Sequence, residues 1–133
     1  MQPPPNSPAA AANAKTILIV DDYASVRFYH ANLLRQAGYK TLEARDGNEA
    51  LDKLRQNHVD LVLLDLIMPR MSGEEFIRRI RSTQEHANIP LLIVSSESVE
   101  DKIRPIAGNG RFGFAIKPIV PAGLLEAVRK LFA

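Results

Sequence analysis

The sequence has no cysteine, no long apolar run and no concentrated block of charge. Without cysteine there are no disulfides, no zinc–thiolate sites and no thiol nucleophile. That suits a reducing, cytoplasmic setting. No stretch reaches the roughly 18 apolar residues of a membrane-spanning helix, so no membrane insertion is expected. The 17 Lys and Arg against 15 Asp and Glu leave a net charge of only +2, spread along the chain. A nucleic-acid binder shows a focused basic patch instead, so no nucleic-acid partner is expected. The densest basic cluster, Arg78, Arg79 and Arg81, reads as the solvated face of a helix.

What is present is enough for one domain. A chain of 133 residues with 46% hydrophobic residues can bury a real core. Residues 1–14 are rich in Pro and Ala, lack periodicity and read as a disordered leader. The Ala-Ala-Asn-Ala stretch within it weakly resembles a signal-peptidase site. No basic segment and no apolar segment precede it, which argues against export. Residues 15–133 form the expected folded domain.

From Lys15 onward, short apolar runs alternate with amphipathic stretches. Strands are expected over 16–20, 39–44, 59–64, 91–94 and 112–116. Between them, Val26, Tyr29, His30, Leu33, Leu34 and Ala37 fall on one face of a helix that Gly38 ends. Asp46-Gly47 reads as a turn, and further helices are expected over 48–55, 74–81, 99–107 and 122–132. Pro121 stands where a first helical residue would be. Five such units in order predict an α/β fold, a doubly wound parallel sheet with helices on both faces.

In such sheets ligands bind beyond the carboxyl ends of the strands. The first strand ends in Asp21-Asp22, the third in Asp65, the fourth in Ser95 and the fifth in Lys117. Singly, a strand-end aspartate is usually a helix cap or turn residue. Together, three carboxylates on one rim would repel unless protonated or bridged. Mg²⁺ removes that conflict, because it takes oxygen ligands and is often held by one or two carboxylates plus a phosphate. Asp65 is then the natural nucleophile. Lys117 neutralises charge on the transferred group, and Ser95 donates a hydrogen bond to it.

The motifs ILIVDD (17–22), LLDLIMPRMSG (63–73), IVSS (93–96), FAIKP (114–118) and the closing PAGLLEAVRKLF closely resemble the receiver domain of two-component response regulators, of the chemotaxis-regulator type. The resemblance implies a flavodoxin-like (βα)5 fold with strand order 2-1-3-4-5. It implies that Asp21, Asp22, Asp65 and the backbone carbonyl of Ile67 hold Mg²⁺. It makes Asp65 the phosphoacceptor, Lys117 the phosphate-binding lysine, Ser95 the switch hydroxyl and Phe114 the switch aromatic. It also implies a cis Lys117–Pro118 bond. The implied partners are a histidine kinase or histidine phosphotransfer protein as donor, and a downstream protein that reads the fourth helix, fifth strand and fifth helix. The implied output is a shift between two conformations rather than turnover of a metabolite.

Several residues depart from the commonest pattern. Phe114 lacks a phenolic hydroxyl. Ile67 and Glu97 stand two residues beyond Asp65 and Ser95, where the resemblance to receiver domains implies that side chains influence attack of water on the acyl phosphate. An apolar Ile67 does not orient water, so slow self-dephosphorylation is expected. Pro105 and the Gly108-Asn109-Gly110 run predict a short or kinked fourth helix. Val120 leaves the last helix without a side-chain cap. His30, His58 and His86 sit at no catalytic spacing and read as structural or surface residues, so the donor histidine is expected on another protein.

Three other readings fare worse. A haloacid-dehalogenase-type phosphatase needs Asp-x-Asp after its first strand, where this chain has Asp21-Asp22-Tyr23. A flavodoxin-like cofactor binder needs a phosphate-cradling loop in place of the two acids. A non-phosphorylated pseudo-receiver usually lacks an acid or the lysine, and all are present here. The chain stops just after the last helix, so it is expected to be a stand-alone regulator or a piece of a longer protein, with no output domain within it.

Overall fold

The computed structural model describes residues 14–67, 70–96, 98–108 and 111–133. Nearly all of the expected leader, together with Pro69, Glu97, Asn109 and Gly110, lies outside the described residues. The elements are β1 (Thr16–Val20), α1 (Ala24–Gln36), β2 (Lys40–Ala44), α2 (Gly47–Gln56), β3 (Leu61–Asp65), α3 (Gly73–Arg81), a 3₁₀ turn (Gln84–His86), β4 (Leu91–Ser95), α4 (Glu100–Ile103), β5 (Phe112–Ile116) and α5 (Pro121–Phe132). The five strands form one sheet in the order β2-β1-β3-β4-β5, and every pairing is parallel.

The apolar runs of β3 and β4 are buried along their whole length, as central strands covered on both faces must be. Alternate residues feed two cores. Leu18, Val20, Val62, Leu64, Leu91 and Ile93 point to the layer that includes Phe76, Ile77 and Ile80 of α3. Ile17, Ile19, Leu61, Leu63, Leu92 and Val94 point to the opposite layer, with Leu34 of α1 and Leu124 and Val128 of α5. This is the doubly wound arrangement, and it sends every strand's C-terminal end to the same edge.

Helix ends follow from local chemistry. Gly38 adopts φ 99 and closes α1, with its amide donating to the Arg35 carbonyl. Asp46 and Ser72 cap α2 and α3 by accepting hydrogen bonds from Glu49 N and Glu75 N. Pro121 opens α5, and Val120 before it makes no side-chain cap. The fourth helix is short, as Pro105 demands. It spans only Glu100–Ile103, and Ile106 and Ala107 continue as turns bonded back to the Ile103 carbonyl.

The structure corrects some expectations. Tyr29 and Ala37 do not lie on the buried face of α1. Tyr29 is 47% exposed, and the inward residues are His30, Ala31 and Leu34. Asp46-Gly47 is a helix start rather than a free turn. The basic cluster is not uniformly solvated. Arg78 and Arg79 are exposed, but Arg81 turns inward. Its guanidinium donates to the carbonyls of Ala107 (2.6 Å), Ile89 (2.7 Å) and Ala87 (3.0 Å), and burial pulls its pKa down.

Candidate functional site

Asp21 leaves β1 directly. Its amide is held by the Ala44 carbonyl at 3.1 Å, and its Oδ1 accepts the Tyr23 amide at 2.9 Å. That short Asx-type loop turns the chain into α1 and keeps Asp21 buried. Asp65 ends β3, also buried. Its Oδ1 accepts the Ile67 amide at 3.2 Å, and its Oδ2 lies 3.3 Å from Lys117 Nζ. Ser95 ends β4 and is buried; its carbonyl accepts the Lys117 amide at 2.8 Å. That bond anchors the segment after β5, where the Lys117–Pro118 peptide is cis.

Asp21, Asp22 and Asp65 each offer a carboxylate oxygen, and these oxygens all lie within 4.8 Å of one another. Burial pushes the Asp21 carboxyl above the usual carboxylate range, and the nearby Asp65 and Asp22 charges add to this. The Tyr23 amide and Lys117 pull the other way. One oxygen of Asp22, Oδ1, is buried without a hydrogen-bond partner among the described residues. A buried carboxylate oxygen with no donor is expensive. An all-oxygen donor set with an unsatisfied buried oxygen fits a hard divalent cation such as Mg²⁺.

The remaining sequence-singled residues stand close by. Ile67 is on the loop leaving β3, with its side chain 68% exposed. Phe114 is half-buried on β5, and its ring meets Phe112 edge-on at 5.5 Å. His30 is buried, and burial, with Lys117 adding to it, lowers its pKa. His58 instead pairs with Asp60 on the surface ahead of β3, at the other end of that strand from Asp65.

Two neighbours of the site were not singled out from the sequence. Asp46 is buried; its Oδ1 accepts the Glu49 amide at 2.9 Å and its Oδ2 pairs with Arg70 Nη1 at 3.3 Å. The Asp46-x-x-Glu49 spacing is a capping-box signal, and it was available in the sequence. Arg70 had no such signal.

Fold and site together define a doubly wound α/β domain with an acidic centre at the carboxyl edge of its sheet. The response regulator receiver domain family model matches residues 17–129. The chain is 37% identical to the chemotaxis protein CheY of Pseudomonas aeruginosa over 117 residues, covering 87% of this chain and 94% of that protein. It is 38% identical to the chemotaxis protein CheY-3 of Vibrio cholerae, covering 87% and 90% respectively. Among solved structures, Vibrio cholerae CheY4 superposes with a TM-score of 0.82 at 30% identity, over 89% of this chain and 98% of that one. The Thermotoga maritima response regulator TrrA, solved in complex with Mg(2+)-BeF, gives 0.76 at 30% identity, over 88% and 98%. The chain therefore belongs to the response regulator receiver domain family and is similar to chemotaxis regulators. It is a signalling module of two-component systems rather than a metabolic enzyme. Among the described residues, no helix is long and apolar enough to cross a membrane.

Proposed function

We propose that this domain, over residues 15–133, takes a phosphoryl group from a partner's phosphohistidine onto Asp65 and signals by a change of conformation. One Asp65 carboxylate oxygen forms the new bond to phosphorus. The phosphorus–nitrogen bond to the donor imidazole breaks, and its electron pair returns to the ring, which takes up a proton. Asp21, Asp22, Asp65 and the Ile67 carbonyl would hold Mg²⁺. When bound, that ion neutralises charge on the carboxylates and on the transferred oxygens. Lys117 moves from its ion pair with Asp65 to the arriving phosphoryl oxygens. The Ser95 hydroxyl then donates to the phosphoryl group, and Phe114 turns into the space behind it. The altered surface of α4, β5 and α5 is read by a downstream protein. Residues 1–14 are a leader outside this chemistry, and the setting is cytoplasmic.

The observation that carries this reading is the convergence of three carboxylate oxygens within 4.8 Å, with Lys117 Nζ 3.3 Å from Asp65. A merely structural cluster would leave most of the repulsion uncompensated, because Lys117 offsets only one of the three charges. The test is incubation with acetyl phosphate and Mg²⁺, followed by intact mass. The parent should gain one phosphoryl group, and Asp65→Asn and the parent in excess chelator should gain none. Equal labelling of Asp65→Asn would reject the assignment.

A further inference from the structure

We propose that Arg70, assisted by Arg45, is a specificity-determining residue that selects phosphodonors of high negative charge. This rests on the phosphoacceptor reading above and names the substrate class that the mouth of the site favours.

Asp22, Arg45, Asp46 and Arg70 line one cavity of about 200 Å³. One wall is Asp22, a member of the carboxylate cluster. The other walls bring two guanidinium groups to it from separate loops, one before α2 and one after β3. Arg70 also holds a left-handed backbone conformation, φ 69, that residues with a side chain seldom adopt. The fold therefore keeps an arginine where glycine would be the easier choice, and such outliers collect at functional sites.

The ion pairs at this rim are asymmetric. The Asp46 side chain is 6% exposed, while its partner Arg70 is 67% exposed. Asp46 is fixed from its other side by the Glu49 amide, so it serves as a buried anchor. Arg45 is likewise more exposed than its partner Glu49, 65% against 38%. Glu49 is in turn drawn back by the Arg45 amide at 3.2 Å. A solute approaching the mouth meets cations first and their counter-charges second. A guanidinium has five N–H donors in a planar fork, and the tie to Asp46 engages one nitrogen of Arg70.

The charge inside the site makes this rim necessary. Asp21, Asp22 and Asp65 outnumber Lys117, and a divalent cation brings the pocket only to neutrality. Attraction for a dianion must then come from the mouth, where arginine recognises phosphate-like groups well. The Arg45–Glu49 pair is exposed, and such pairs contribute little to stability, so a purely structural role leaves the placement of Arg45 unexplained.

The test compares the parent, R45Q, R70Q and the double variant, all with Mg²⁺, by the apparent second-order rate of phosphorylation in intact-mass time courses. Two small donors are used: acetyl phosphate, a dianion near neutral pH, and phosphoramidate, whose nitrogen is protonated and whose net charge is smaller. Neither donor carries a protein docking surface. The ratio of the acetyl phosphate rate to the phosphoramidate rate should fall roughly fivefold in the double variant, as expected for two charges several ångströms from a dianion in water. The salt dependence of the acetyl phosphate rate should flatten as well. R45Q, which loses an exposed ion pair with Glu49, should show part of the fall even if R70Q folds poorly. An unchanged ratio in R45Q and the double variant would overturn the proposal, as would equal loss with both donors. Failure of the phosphoacceptor reading looks different, since the parent would then accept phosphate from neither donor.

Discussion

Neutralising one carboxylate of the acidic cluster should make the metal-free protein more stable. The perturbation is Asp21→Asn, which keeps an Oδ1 to accept the Tyr23 amide and removes only the charge. Carboxylate oxygens within 4.8 Å repel by about 0.9 kcal/mol per pair under full water screening, and by about 3.5 kcal/mol at an effective dielectric of about 20. Asp21 faces two such partners and is buried, but Lys117 offsets part of the repulsion. The net gain from the substitution should be about 1–3 kcal/mol. Urea unfolding followed by far-ultraviolet circular dichroism, in chelator, reads it as a higher midpoint at unchanged slope. With Mg²⁺ at a hundredfold excess over its Kd, the parent should gain about 2.7 kcal/mol. The variant should gain much less, so their order narrows or reverses.

The sign with pH follows from the same group. The folded pKa of Asp21 is raised above its ordinary value, so the native state holds the proton over a window in which the unfolded chain has lost it. Its stabilising contribution is present below the ordinary value of 3.8 and is lost as pH rises through the raised one. The Asp21→Asn advantage should therefore grow with pH across that window. A variant no more stable than the parent without divalent cation, or one gaining as much from Mg²⁺, would refute the repulsion argument.

Ile67→Asn should shorten the phosphorylated lifetime several-fold, because a polar side chain two residues past Asp65 can orient water and the exposed Ile67 cannot; decay of the phosphorylated mass checks this, and equal lifetimes would remove the idea. Gly73→Ala should cost about 1–3 kcal/mol in thermal or urea unfolding, since its Cβ would stand 2.7 Å from the Leu66 Cα, a backbone atom. Gly47→Ala should cost less, because its closest contact is the Met71 Sδ, which can move, and a flat ranking would contradict the packing argument. Arg81→Met should cost about 2–3 kcal/mol and raise hydrogen exchange over residues 103–107, because it strands the Ala107, Ala87 and Ile89 carbonyls that the guanidinium satisfies.

The central strands β1, β3 and β4 were legible because parallel strands buried on both faces must be apolar without interruption. The expected 16–20 and 112–116 agree with β1 and β5, and 91–94 falls one residue short of β4. The expected 59–64 starts two residues ahead of β3, because Val59 is apolar yet precedes the ladder. The site residues were legible for a topological reason: the residue type at each strand end changes abruptly from apolar to charged or hydroxylic. What escaped was tertiary. The inward turn of Arg81 depends on carbonyls from two separate segments, 87–89 and Ala107, which no local pattern announces. Tyr29 fits the helical spacing of α1 yet faces out, because helix periodicity fixes a stripe but not its width. Arg70 joins the site through Asp46, twenty-four residues earlier in the chain, a pairing that only the fold creates.

The central claim is that Asp65 itself carries the phosphoryl group. Phosphorylated protein reduced with borohydride and mapped by tandem mass spectrometry tests it most directly, because an acyl phosphate, unlike a free carboxylate, is reduced to the alcohol. The account expects homoserine at position 65 only, in an amount that rises with Mg²⁺ and vanishes in chelator. Reduction at Asp21, Asp22 or any other acid, or none in a sample whose mass shows the phosphoryl group, would contradict it.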